Sequence, residues 1–198
     1  MKTRRILGFA AFCSLFLVAA QAHPGHDGHE LTWDFSGGAL HPLSGWDHLL
    51  AMVSVGVWAA MLGGKARWLI PSAFVVTMTT AAFAATQSGA HAIAPGVIEQ
   101  GIAASILGLG LLMTLRVRMP LAAAAALVAV FAAFHGWAHG LELPMNSNGF
   151  AYGLGFVAST IALHVVGVAL GFAVRNYPKV AQATGFAVAA IGLAAAIS

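Results

Sequence analysis

The sequence predicts an all-α polytopic membrane protein, about six transmembrane helices in one bundle behind a cleaved signal peptide. Three observations predict it. Hydrophobic residues make up 60% of the 198 positions and charged residues only 8%. The apolar positions gather into six runs, each long enough to span a bilayer. The segments joining these runs are short, so the spans belong to one bundle. A chain so poor in charge can satisfy its backbone in lipid only inside closed hydrogen-bonded structure, and unbroken apolar runs of this length select helices.

Residues 1–22 read as a secretory signal peptide. Lys2, Arg4 and Arg5 form the basic start, Ile6 to Ala20 the apolar stretch, and Ala20-Gln21-Ala22 the small-x-small cleavage site. The single cysteine, Cys13, lies in this segment, so the chain beyond it has no thiol for a disulfide or a thiolate ligand. Residues 23–40 form a histidine-rich segment expected on the periplasmic side. Its opening run from His23 to Glu30 offers His26 and His29 besides His23, two carboxylates and a free amine, a set suited to capturing a metal ion before entry. Pro24 rules out the square-planar amino-terminal chelate, which needs an amide nitrogen at that position.

Residues 41–198 make up the membrane domain. Its apolar runs are Pro42–Leu62, Leu69–Thr86, Ile98–Leu115, Leu121–Leu141, Phe150–Phe172 and Val180–Ile197. Beyond the signal peptide, every Lys and Arg falls in the first, third or fifth connection: Lys65, Arg67, Arg116, Arg118, Arg175 and Lys179. Basic loops stay in the cytoplasm, so these three connections are expected there. Both termini of the processed chain are then periplasmic, in agreement with an export signal, and the expected location is the bacterial inner membrane.

Ionisable groups inside a bilayer are costly, and those that persist usually line a polar path or bind something. The first run carries His41, Asp47 and His48, the third opens with Glu99, the fourth ends in His135, His139 and Glu142, and the fifth holds His164. Helical spacing puts His135, His139 and Glu142 on one stripe. Counted from the outer ends, His48 and His135 share a depth of roughly 9 Å, while His164 lies about 20 Å down. Pro42 disfavours helical backbone at His41 and Gly45 follows within a turn, so an irregular start is expected there, folding His41 toward the others. No Lys or Arg stands within any of these six spans, so the carboxylates are either protonated or balanced by a cation from solution. Imidazole beside carboxylate without thiolate suits nickel, cobalt or zinc better than magnesium or copper(I). Met52, one turn beyond His48, is a candidate soft auxiliary ligand. His91, in an outer loop, is expected to be incidental.

Other classes fit less well. The basic residues are few and form no stripe, which argues against nucleic acid. A membrane-embedded zinc hydrolase is the main alternative, but no His-Glu-x-x-His occurs and no nucleophile sits beside the histidines. A haem-binding electron carrier with histidine axial ligands is a second. No ATP-binding motif is present, so no ATP hydrolysis by the chain and no obligatory ATPase partner is expected.

Residues 41–52 read His-Pro-x-x-Gly-x-Asp-His-x-x-Ala-Met, and residues 134–142 read Phe-His-Gly-x-Ala-His-Gly-x-Glu. Through these motifs the chain resembles the HupE/UreJ family of nickel and cobalt permeases. The likeness extends over nearly all of the chain past residue 22, including Glu-x-Gly-Ile-Ala at Glu99 and Leu-His at His164. The resemblance implies secondary uptake of nickel or cobalt for metalloenzymes such as hydrogenase or urease, or for cobalamin synthesis. The metal is then substrate, with no resident cofactor required. The residues that the resemblance ties most closely to transport are His41, Asp47 and His48.

Overall fold

Helix is the only regular structure among the described residues, as expected where backbone groups have no water to bond. The computed structural model describes residues 34–88, 92–143 and 149–197. The expected signal peptide, the histidines His23, His26 and His29, and His91 lie outside them. Seven helices follow in order among the described residues: α1 (Phe35–Ser44), α2 (Trp46–Leu62), α3 (Ala66–Ser88), α4 (Pro95–Thr114), α5 (Leu121–Glu142), α6 (Gly149–Val174) and α7 (Pro178–Ile197). Helices α3 to α7 are each long and apolar enough to cross a membrane. Taken as one broken span, α1 with α2 makes the sixth.

That first span departs from the expected form. The sequence places irregular backbone at His41, ahead of Pro42, yet the helix begins at Phe35 and runs straight through Pro42. It breaks at Gly45, whose extended backbone (φ −92°, ψ 117°) separates two helices bent by 83°. The preference of the residue before proline is a bias, and α1 is already underway when it reaches Pro42. Asp34 fixes its start, accepting from the Gly37 N–H at 2.8 Å and from the Ser36 hydroxyl at 2.6 Å. Gly45 is the weakest helix former at the bend. There the Ser44 hydroxyl donates to the His41 carbonyl at 2.8 Å, replacing a helical N–H.

Helices pack mainly in pairs: α3 along α5, α4 along α7, and α2 along α6, with α1 also lying on α6. Small residues bring the paired backbones together, as lipid-embedded helices require. A Cβ on Gly136 would collide with the Met78 carbonyl oxygen across the α3–α5 contact, and one on Gly56 with the His164 carbonyl oxygen across α2–α6. Helices α2 and α5 meet differently. Imidazole rings, rather than apposed backbones, fill the gap between them.

Away from that gap the core is apolar, built on buried Trp58, Ile70, Phe74, Met78, Leu109 and Met113. Large apolar side chains such as Phe83, Phe150, Phe186 and Ile197 point outward, where lipid would receive them. The ends of the bundle differ in charge. Arg116, Arg118 and Arg175 surround a cleft of about 300 Å³ at one end, with Met61, Leu62, Val117 and Asn176. Asp47 and Glu142 lie at the imidazole gap, by the start of α2 and the end of α5.

Candidate metal centre

The break at Gly45 builds the site. It ends α1 with His41 in its last turn, against Glu142 of α5, and starts α2 with Asp47 in its first, against His48. A carboxylate in the first turn is favoured by the positive end of the helix dipole. From α5 come His139 and Glu142, one turn apart, with His135 one turn deeper.

Glu142 Oε2 lies 3.3 Å from His41 Nε2 and 3.3 Å from His139 Nδ1, joining two helices through one carboxylate. One ligand atom from each of these three residues falls within 4.8 Å of the others, a spread that a single metal ion can bridge. Beneath this outer group the rings continue. The centroid of His139 lies 5.0 Å from that of His41 and 4.4 Å from that of His48, and His48 lies 5.3 Å from His135. Exposure falls along the same line. The Glu142 side chain is 52% exposed and that of His41 16%, while His135 is fully buried.

Each buried imidazole has one nitrogen tied by an acceptor and the other free. The Asp47 carboxylate accepts from His48 Nδ1 at 2.8 Å and from the His48 backbone N–H at 2.9 Å. Nδ1 therefore carries the proton, and the buried Nε2 of His48 has no partner. Glu142 does the same for His139, whose Nε2 is likewise unpartnered. His135 follows the opposite tautomer. The Ser105 hydroxyl donates to the Ile102 carbonyl at 2.6 Å, so its oxygen accepts from His135 Nε2 at 2.9 Å. This leaves His135 Nδ1 free. His164 donates from Nδ1 to the Thr160 carbonyl at 2.8 Å, and its Nε2 is free. Buried polar atoms are nearly always satisfied, so four unpartnered imidazole nitrogens in one region are an exception that asks for a ligand. A second acceptor fixing each ring is also the usual support of a metal-binding histidine.

Six residues expected from the sequence thus come together: His41, Asp47, His48, His135, His139 and Glu142. His164 reaches the group through Phe74, whose ring sits 5.7 Å from His135 and 5.1 Å from His164. Met52 is fully buried, in the same apolar cluster as Phe74 and Phe156, whose rings touch the histidines. Glu99 is exposed near the start of α4, outside the hydrogen bonds and ring contacts that join the cluster among the described residues. The sequence reading passed over Ser105, Phe74 and Phe156. Ser105 carried a signal, being a hydroxyl in the middle of an apolar run. Phe156, 4.2 Å from the ring of His139 and 5.8 Å from that of His41, looked like any other apolar residue of its span.

The family model described as HupE / UreJ protein matches residues 11–195. Protein HupE of Rhizobium leguminosarum bv. viciae is 45% identical over 161 residues, covering 79% of this chain and 81% of that protein. No solved structure matches the chain.

Proposed function

The chain belongs to the HupE/UreJ family, and from this premise we propose that it is a secondary permease taking up nickel or cobalt ions across the bacterial inner membrane. The observation that carries the reading is the graded series of imidazoles, open at Glu142, buried at His135, each deep ring presenting a free nitrogen. Nitrogen and carboxylate oxygen without thiolate suit these borderline metals. Zinc shares the donor preference, so nickel and cobalt rest on the family likeness.

In this reading the ion first meets His41, His139 and Glu142, the three residues whose ligand atoms lie within 4.8 Å. Losing its waters there, it gains donors at each step: His139 belongs to the outer group and also stacks against His48, which leads to His135. Asp47 and Glu142 balance the charge of the ion in a region where Lys and Arg are absent from the spans. The entrance faces the periplasm, because the basic connections gather at the other end and basic loops stay in the cytoplasm. Transport needs no nucleotide: a membrane potential of 100 mV is worth about 4–5 kcal/mol for two charges crossing the whole field. Catalysis is not part of the function.

Accumulation of radioactive nickel and of radioactive cobalt, each at trace concentration, in cells expressing the chain tests this directly. We expect uptake of one or both above background and its loss in His48→Ala at equal surface expression. Failure of both metals to accumulate in correctly inserted protein would sink the proposal.

A further inference from the structure

The free Nε2 of His164 is buried, yet no histidine ring of the outer cluster touches it. What touches both is Phe74. Its side chain is fully buried, its ring packs on His135 at 5.7 Å with the planes at 52°, and on His164 at 5.1 Å with the planes at 62°. The three residues come from three helices, α5, α3 and α6, so an aromatic side chain of a third helix connects two potential ligands that share no hydrogen bond.

We propose that Phe74 is the barrier of the path, a ring that closes the way between the outer imidazole cluster and an inner cation station at His164 Nε2, and must move aside for each ion that passes. The inference rests on the transport reading. Its physical basis is twofold. An apolar ring offers neither water nor a ligand, so it interrupts the series of donors between His135 and His164, and apolar constrictions gate conduction in this way. On its far side stands the buried Nε2 of His164, left unprotonated because Nδ1 donates to the Thr160 carbonyl.

The packing also suggests what carries the ring. Phe74 and His135 belong to α3 and α5, held closely together where Gly136 lies on the Met78 carbonyl and Gly140 on that of Ala82. His164 belongs to α6, held to α2 at Gly56 and Gly167. Slippage between the two pairs would draw Phe74 away from His164 while leaving it beside His135.

Thiol labelling in intact cells separates this from simple core packing. With Cys13→Ser as background, the chain has no other cysteine, so His164→Cys reports access to the inner station alone. A small cationic thiol reagent added from outside should label His164→Cys slowly. It should label Phe74→Ala/His164→Cys about tenfold faster, with the volume-keeping Phe74→Leu between them. Nickel and cobalt uptake by the otherwise unaltered chain is measured in parallel. If that chain takes up metal but neither Phe74 variant, inserted at normal level, speeds labelling, the barrier is refuted and the transport reading survives. If that chain takes up neither metal, the transport reading falls and the barrier with it.

Discussion

His48 Nδ1 lies 2.8 Å from Asp47 Oδ1, and this contact between neighbours in the chain decides which nitrogen of His48 faces the cluster. The same carboxylate oxygen also accepts from the His48 backbone N–H, so Asp47 holds both the ring and the first turn of α2 that carries it. Asp47→Ala should therefore weaken nickel or cobalt binding by about 10- to 100-fold, the usual cost of losing a carboxylate that orients a ligating histidine. Asp47→Asn keeps an oxygen that accepts from Nδ1 but loses the charge, and should fall between Ala and the native residue. Titration calorimetry on detergent-solubilised protein measures both. Equal affinity in all three would separate Asp47 from the site.

Ser105 makes a parallel prediction for His135. Its hydroxyl proton goes to the Ile102 carbonyl, which leaves its oxygen as acceptor for His135 Nε2. In Ser105→Ala the buried N–H loses its partner, at a cost of about 1–3 kcal/mol in stability. The ring also becomes free to exchange tautomers, so metal affinity should drop along with the unfolding temperature. Restored stability on addition of metal, with affinity still below native, is the expected pattern in a thermal-unfolding series with and without nickel.

Much of this arrangement was legible before any coordinates. The six spans were evident because a bilayer leaves a charge-poor chain few alternatives, and α3 to α7 each begin and end within a few residues of their apolar stretches. His135, His139 and Glu142 were grouped correctly because the spacing within one helix is fixed by its pitch. Relations between helices were harder. The nearness of His48 and His135 agrees with counting residues, but whether Glu99 meets the cluster depends on the rotation of α4, which spacing along one chain does not determine. The break came at Gly45, within a turn of the irregularity expected at His41, while Pro42 itself stayed helical because the local proline preference yielded to a helix already capped at Asp34. Ser105 and Phe74 were missed for a similar reason, since their significance lies wholly in what a neighbouring helix presents to them.

Gly45 is the residue where the backbone break and the chemistry meet. Its φ of −92° is open to any residue, so alanine would meet no backbone strain there. A Cβ at this position would nevertheless sit 2.8 Å from Asp47 Oδ1 and 3.0 Å from His48 Nδ1, pressing on the very pair that sets the ring. Gly45→Ala should insert at near-normal level yet lose most metal binding. Its counterpart, Gly136→Ala, should show the reverse emphasis: a Cβ there strikes the Met78 carbonyl, and overpacking of this kind costs about 1–3 kcal/mol in stability. Surface expression, thermal unfolding and metal binding measured on both variants would distinguish damage to the site from damage to the bundle.

Glu142 and Glu99 offer the sharpest contrast between two carboxylates near the ends of their helices. Glu142 touches His41 and His139 at 3.3 Å each and is half exposed, so it is placed where an arriving ion would first exchange water for protein. Its loss should impair capture more than passage. Glu142→Gln is expected to raise the half-saturating metal concentration for uptake by about tenfold, with a smaller fall in the maximal rate. Glu99 is exposed and lies outside the contacts that join the cluster, so Glu99→Gln should leave both parameters within about twofold of native, as for a surface substitution. The reverse outcome, with Glu99 critical and Glu142 dispensable, would move the entrance from the C-terminal end of α5 to the start of α4. It would also leave the His41–Glu142–His139 grouping as a structural tie between helices, because a site that captures metal cannot lose its only exposed ligand without a change in apparent affinity.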